Sequence, residues 1–413
     1  MPAAAQEKIM FLDEGTYQTD NGRLSYFEDG GIVSNQLFMD ATGRKLGNTP
    51  NYILQIDDNR LAISVNVSNV IQFIDTKGKA IAAIEGVPNS RCMVSDGTSL
   101  YVTSYAHEVE VNGSIRTFTR GFVAKIDLTN YSITDAVEVG YEPEGIALYD
   151  GHLFVANSGG YSYAEDHDYE HTVSVVDAAT MKVTRTVDVS AINLYGYMSI
   201  SGQYLCINSP GDYYEEGPST VIFDCRAAID SKPDGQCSAK LSFPSTYNTV
   251  MPDGNFLTIG STYSSLTGDF SYSKSIINPA EVMRTGGSGG VSNALPGSVA
   301  ADIAGMQTPN SIYVNPYTGY IYATDARDST SAGRLYQWTP EGNLKGTYTT
   351  YINPGHILAL PPDGHFGGID GVAPDAGAEP YEDSIIYNLQ GIPVVNTVPG
   401  QIYIRGGRKF IQR

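Results

Sequence analysis

Short stretches in which apolar and polar residues alternate fill most of this chain, and Gly, Pro, Asn or Asp ends nearly every one. A period of two bounded by turn formers is the pattern of half-buried strands. The strands are grouped by a recurring turn. Five copies share a clear signature: Thr49-Pro50-Asn51-Tyr52-Ile53, Val87-Pro88-Asn89-Ser90, Glu142-Pro143-Glu144-Gly145-Ile146, Thr308-Pro309-Asn310-Ser311-Ile312 and Asn353-Pro354-Gly355-His356-Ile357. Two looser copies, around Leu194-Tyr195-Gly196-Tyr197 and Pro244-Ser245-Thr246-Tyr247, fall between the third and fourth. Spacings of 38 to 64 residues match the length of a propeller blade.

A second repeat interleaves with these turns. A tight turn leads into an apolar strand that ends in small polar residues, as in residues 95–104 (SDGTSLYVTS), 149–158 (YDGHLFVANS) and 316–325 (PYTGYIYATD). Asp-Gly between apolar runs signals a hairpin, because Gly accepts the positive φ that the turn demands. Two further alternating strands follow, the first often closed by Asp (Asp75, Asp127, Asp177, Asp224), whose side chain can cap the next turn. Each unit therefore reads as strands A to D, four antiparallel strands in all. Seven units predict an all-β chain, a seven-bladed β-propeller spanning residues 1–360. The segments Ile9 to Tyr17 and Arg23 to Phe38 supply outer strands at the start, and His356 to Leu360 supplies an inner strand at the end. Together they are expected to complete one blade and hide the sheet edges. Residues 361–380, rich in Gly, Pro and Asp, read as a linker, and residues 381–413 as a short β-rich tail without a core of its own.

The formal net charge is −20 over 413 residues. Such a field repels phosphate backbones, which argues against nucleic acid as a partner. Residues 1–6 carry no charged region followed by an apolar one, so no signal peptide is expected within the sequence, and no stretch is long and apolar enough for a membrane helix. Of four cysteines, Cys225 and Cys237 flank a Pro-Asp-Gly turn, and two strands joined there would allow a disulfide between them. Cys92 and Cys206 read as buried thiols. The sequence has no G-x-S-x-G elbow, no phosphate-binding loop and no inward-facing histidine set, so no catalytic residues are assigned and a non-enzyme is expected. The acidic run Glu165 to His171 lacks the spacing of known metal loops, and no metal or cofactor is assigned.

In a propeller the D–A turns and B–C loops emerge on one face. The turns bring Tyr52, Asn89, Arg91, Glu144, Tyr195, Tyr197, Tyr247, Asn310 and His356 to that face. The B–C loops are long and add Tyr105, Tyr161, Tyr163, Tyr213 and Tyr263. Tyrosine joins a rigid apolar ring to one hydrogen-bonding oxygen, so a tyrosine-rich funnel suits a large, flat, amphipathic ligand.

Residues 22–27 (GRLSYF), 43–48 (GRKLGN), 88–91 (PNSR), 314–319 (VNPYTG) and 322–326 (YATDA) resemble the YncE-like, BtuG-type surface propellers of Bacteroidetes, a cobalamin-capturing family. The resemblance spans about residues 9–360. It implies a non-catalytic protein on the outer-membrane surface that holds vitamin B12 or a related corrinoid at the loop face. A TonB-dependent transporter of the BtuB type would receive the ligand, and the protein would otherwise be monomeric. Asn89, Arg91, Asp325 and Ala326 are the matched positions that carry over. The tail resembles a C-terminal element of exported Bacteroidetes proteins and departs from the family, which stops near Leu360. Capture of another chelate, a siderophore or haem, is an alternative, although anionic chelates want more basic residues than Arg91 and Arg116 supply. A structural or adhesive surface protein is the other.

Overall fold

The computed structural model describes residues 7–162, 167–212, 215–263, 270–362 and 364–366, with four short strands between 386 and 411. Seven four-stranded antiparallel sheets form the seven blades of a β-propeller. Blades 1 to 6 take their strands in chain order between residues 50 and 352, and in blade 2 a separate two-stranded hairpin, Glu108–Val111 with Ser114–Thr117, is inserted between the second and third strands. Blade 7 joins the two ends of the ring: the inner strand Pro354–Ala359 pairs with Lys8–Asp13, which is followed outward by Arg23–Glu28 and Gly31–Ser34. Ile9 lies opposite Ala359, and Phe11 opposite Ile357. The closing blade expected from the sequence is therefore present.

Period-two alternation explains the packing. Seven apolar clusters are found among the described residues, and each lies between two neighbouring blades. In blade 2, Phe122, Ala124 and Ile126 face blade 1, while Val123 between them faces blade 3. In blade 1, Ala62 faces blade 2 while Leu61 and Ile63 face blade 7. Both faces of every sheet are buried, so the core is a ring of seven interfaces rather than one centre.

The small polar residues at the ends of the B strands fasten the turns. Ser64 Oγ donates to Ser90 O at 3.0 Å, Ser158 Oγ to Glu142 O at 2.8 Å and Ser209 Oγ to Ile192 O at 2.6 Å. The carboxylates that close the C strands also cap as expected: Asp75 accepts Lys77 N–H, Asp127 accepts Thr129 N–H and Asp224 accepts Ala227 N–H.

Two expected hairpins are replaced. In blade 4 the C–D connection is helical, Cys225–Ile229 and Asp234–Cys237, and in blade 5 it contains the helix Pro279–Thr285. Asp224 and Asn278 cap these helices, at Ala227 N and Glu281 N. The helical connection removes the cross-strand geometry that a Cys225–Cys237 disulfide would have used. Both are buried free thiols in one apolar cluster, and Cys237 Sγ faces the carbonyls of Lys232 and Pro233 at 3.5 Å. After Leu360 the chain crosses toward blade 1, where Phe366 N–H donates to Asp58. Most of the 361–380 segment lies outside the described residues. The tail strands Ile386–Tyr387, Pro393–Val394, Ile402–Arg405 and Arg408–Ile411 form their own four-stranded sheet.

Candidate functional site

The loop face is built in layers around the propeller axis. Its floor is aromatic and is set by residues at or just before the start of the inner strands. The Tyr52 ring of blade 1 stacks on His356 of blade 7 at 4.3 Å between centroids, and Tyr197 of blade 4 meets both, at 5.5 Å from Tyr52 and 4.6 Å from His356. Tyr197 OH donates to Asn51 O across the axis at 2.6 Å. Tyr247 of blade 5 donates to Asn310 Oδ1 at 2.8 Å, and Asn310 Nδ2 donates to Pro354 O at 2.9 Å. Burial pushes His356 down to about 3, so its imidazole is neutral. Its Nδ1 accepts Ile53 N–H at 3.3 Å, which places the ring proton on Nε2.

Above this floor lies a charged centre. Arg91 Nε donates to Glu144 Oε1 at 3.1 Å and its Nη2 to Oε2 at 3.3 Å. The Glu144 side chain is 1% exposed and that of Arg91 17%. Burial raises the Glu144 carboxyl above its usual range, against the pull of Arg91. Thr103 Oγ1 fixes the Glu144 carbonyl at 2.8 Å. A second carboxylate, Glu14, accepts Asn353 Nδ2 at 3.1 Å, and burial pushes it up to about 7 against the charge of Arg91.

The outer layer consists of tyrosines that stand over the ion pair. The Arg91 guanidinium lies 5.0 Å from the Tyr105 ring centre and 6.0 Å from that of Tyr195. Tyr161 meets Tyr105 edge-on at 5.5 Å. Tyr161 is 42% exposed and Tyr195 45%, so both side chains are partly open to solvent.

The sequence expectation of one tyrosine-lined funnel thus divides into two groups. Tyr52, Tyr197, Tyr247 and His356 form the floor, and Tyr105, Tyr161 and Tyr195 form the rim around Arg91 and Glu144. Asn89 and Asp325 do not join them through contacts of their own. Asn89 adopts a positive φ of 48° in its turn and accepts Asn66 Nδ2 at 2.6 Å. Asp325 is buried and accepts the N–H groups of Thr308 and Arg327 at 2.8 and 2.9 Å, which holds the turn before Pro309. Tyr163 and Tyr213 lie outside the described residues, as does the side chain of Tyr263. Glu14 was not legible in the sequence. Its only signal is its place just after an apolar strand, and the turn that faces it, at Asn353, comes from the far end of the chain. His167 was likewise unassigned; it lies flat on Tyr141 at 3.9 Å and pairs with Glu142 Oε2 at 2.8 Å. Among the described residues no group of three or more His, Cys, Asp or Glu side chains is placed to hold a metal ion.

These features define a seven-bladed propeller with a polar centre on its loop face. No protein-family model matches the chain, and no curated protein matches its sequence. Solved structures do share its fold. The hydrazine synthase of Kuenenia stuttgartiensis superposes with a TM-score of 0.55 at 17% identity, over 77% of this chain and 91% of that one. A hypothetical selenium-binding protein from Sulfolobus tokodaii superposes with a TM-score of 0.54 at 10% identity, over 88% of this chain and 95% of that one. At these identities the likeness is one of fold alone.

Proposed function

We propose that this propeller is a non-catalytic surface protein that captures a corrinoid on its loop face, as the BtuG-type resemblance implies, and delivers it to a TonB-dependent transporter. The observation that supports the reading is the exposed ring of Tyr195 over the buried Arg91–Glu144 pair, with exposed Tyr161 beside it against Tyr105. A corrin is broad and apolar on its faces and rimmed with amides. The rim tyrosines offer flat apolar area, while Glu14 and Tyr195 offer polar atoms near the axis. The −20 charge and the internal neutralisation of Arg91 disfavour an anionic chelate such as a ferric catecholate.

Calorimetric titration with cyanocobalamin tests this directly. Saturable binding is expected, and Tyr195→Ala should weaken it about five-fold, since one aromatic contact contributes ~1 kcal/mol beyond area. No heat at micromolar protein removes the corrinoid reading. A heat that Tyr195→Ala leaves unchanged places the ligand elsewhere on the disc.

A further inference from the structure

Below the aromatic floor the propeller axis is hollow. A cavity of about 280 Å³ runs between the inner strands from Tyr52 and His356 to the opposite face, where Pro316, Tyr317 and Phe366 rim it. Tyr52, Tyr197 and His356, which pack on one another in the floor of the site above, line its loop-face end. No Asp, Glu, Lys or Arg side chain is among the residues lining it. Most of its polar wall is already committed to the wall itself. Ser199 Oγ donates to Asn248 O at 3.1 Å, Thr249 Oγ1 accepts Val314 N–H at 3.2 Å, and Tyr313 OH accepts Ala359 N–H at 3.1 Å. An apolar surface is what remains over most of the circumference.

One side differs. The three neighbouring inner strands of blades 6, 7 and 1 carry Ser311, His356 and Tyr52, and all three residues line the cavity. Among the described residues no hydrogen-bond partner pairs with Ser311 Oγ, His356 Nε2–H or Tyr52 OH, and none of the three atoms is sealed from solvent. A neutral donor, an ambivalent hydroxyl and a phenol thus lie on one side of a largely apolar, aromatic tube, to which Gln55 of blade 1 adds a buried amide oxygen without a partner among the described residues. We propose that the axial channel is a second binding site, for a small uncharged molecule with a flat apolar body and one or two hydrogen-bonding heteroatoms. The volume lies at the lower limit of ligand pockets, ~300–1,000 Å³. It suits a one- or two-ring compound and is far too small for a corrin. The proposal stands whether or not the loop face binds a corrinoid.

Indole and p-cresol are suitable probes. Crystals soaked in millimolar indole are expected to show the ring between Ser311 and His356, with its N–H or π face meeting one of the three open groups. Calorimetry in solution is expected to show saturable binding that Ser311→Phe, which fills the channel, weakens at least ten-fold. Cyanocobalamin binding, where present, is expected to be unchanged by Ser311→Phe. An ordered water chain that indole does not displace overturns the proposal. So does indole bound at crystal concentration only, or a folded Ser311→Phe protein that binds indole as before. If Ser311→Phe does not fold, the soak and the calorimetry of the unaltered protein decide alone.

Discussion

The charged pair at the loop face shows how a single residue can matter more than its contacts suggest. Glu144 is almost wholly removed from water, and Arg91 is its bidentate partner. Removing one partner of a buried pair leaves an uncompensated charge and costs about 3–5 kcal/mol, whereas replacing both by apolar groups is often near neutral. Arg91→Met is therefore expected to destabilise the protein by about that amount in urea unfolding, and Arg91→Met with Glu144→Met to recover most of it. Two neighbouring carboxyls respond to pH. Burial raises Asp13 to about 8 and Glu14 to about 7 in the folded chain. The unfolded chain releases these protons near pH 4, so their stability is fully present below that pH and is lost as pH rises through 7 to 8. Melting temperatures are expected to fall from pH 5 to pH 8.5, and Asp13→Asn to flatten the fall. An unchanged slope in Asp13→Asn would place the proton elsewhere.

At the level of elements, the turns between blades depend on close backbone approach. Gly121 precedes the C strand of blade 2, and a Cβ there would lie 2.2 Å from Pro143 Cδ and 2.8 Å from Ser104 O. The same meeting recurs at Gly22 with Pro50 and at Gly333 with Pro354. The proline of one blade's entry turn thus packs on the glycine of the blade before it. Gly121→Ala is expected to cost about 1–3 kcal/mol by overpacking, read as a lower urea midpoint with unchanged slope. The proline half of this contact was plain in the sequence, because the turn signature repeats. The glycine half was hidden among 44 glycines and needed the neighbouring blade in place. The helical connections of blades 4 and 5 escaped the strand pattern for another reason. Both are short and follow a capping Asp or Asn that reads equally well as a turn residue.

For the molecule as a whole, closure is the decisive event. Residues 8–13 and 354–359 pair at the seam that closes the ring, with the other six blades lying between them along the chain. Phe11 is fully buried at this seam, in the cluster shared by blades 6 and 7. Phe11→Ala is expected to cost about 3–5 kcal/mol and to speed amide exchange in Lys8–Asp13 and Pro354–Ala359 before the other blades. Uniform exchange across all blades would show that the seam is no weaker than the rest. The aromatic floor belongs to the same scale, since Tyr52, Tyr197 and His356 come from three blades and touch only at the axis.

The sequence by itself determined the blade count, the strand order and the closing blade. These follow from local periodicity and turn chemistry, which repeat along the chain and need no partner to be read. The tertiary structure alone decided which tyrosines line the floor and which the rim, that Arg91 is neutralised by Glu144, that Glu14 joins them, and that a neutral channel lies beneath. Those facts depend on distances between residues 50 to 340 positions apart, such as Arg91 to Glu144 and Glu14 to Asn353. Such distances are set by ring closure and packing, to which a pattern of period two is blind.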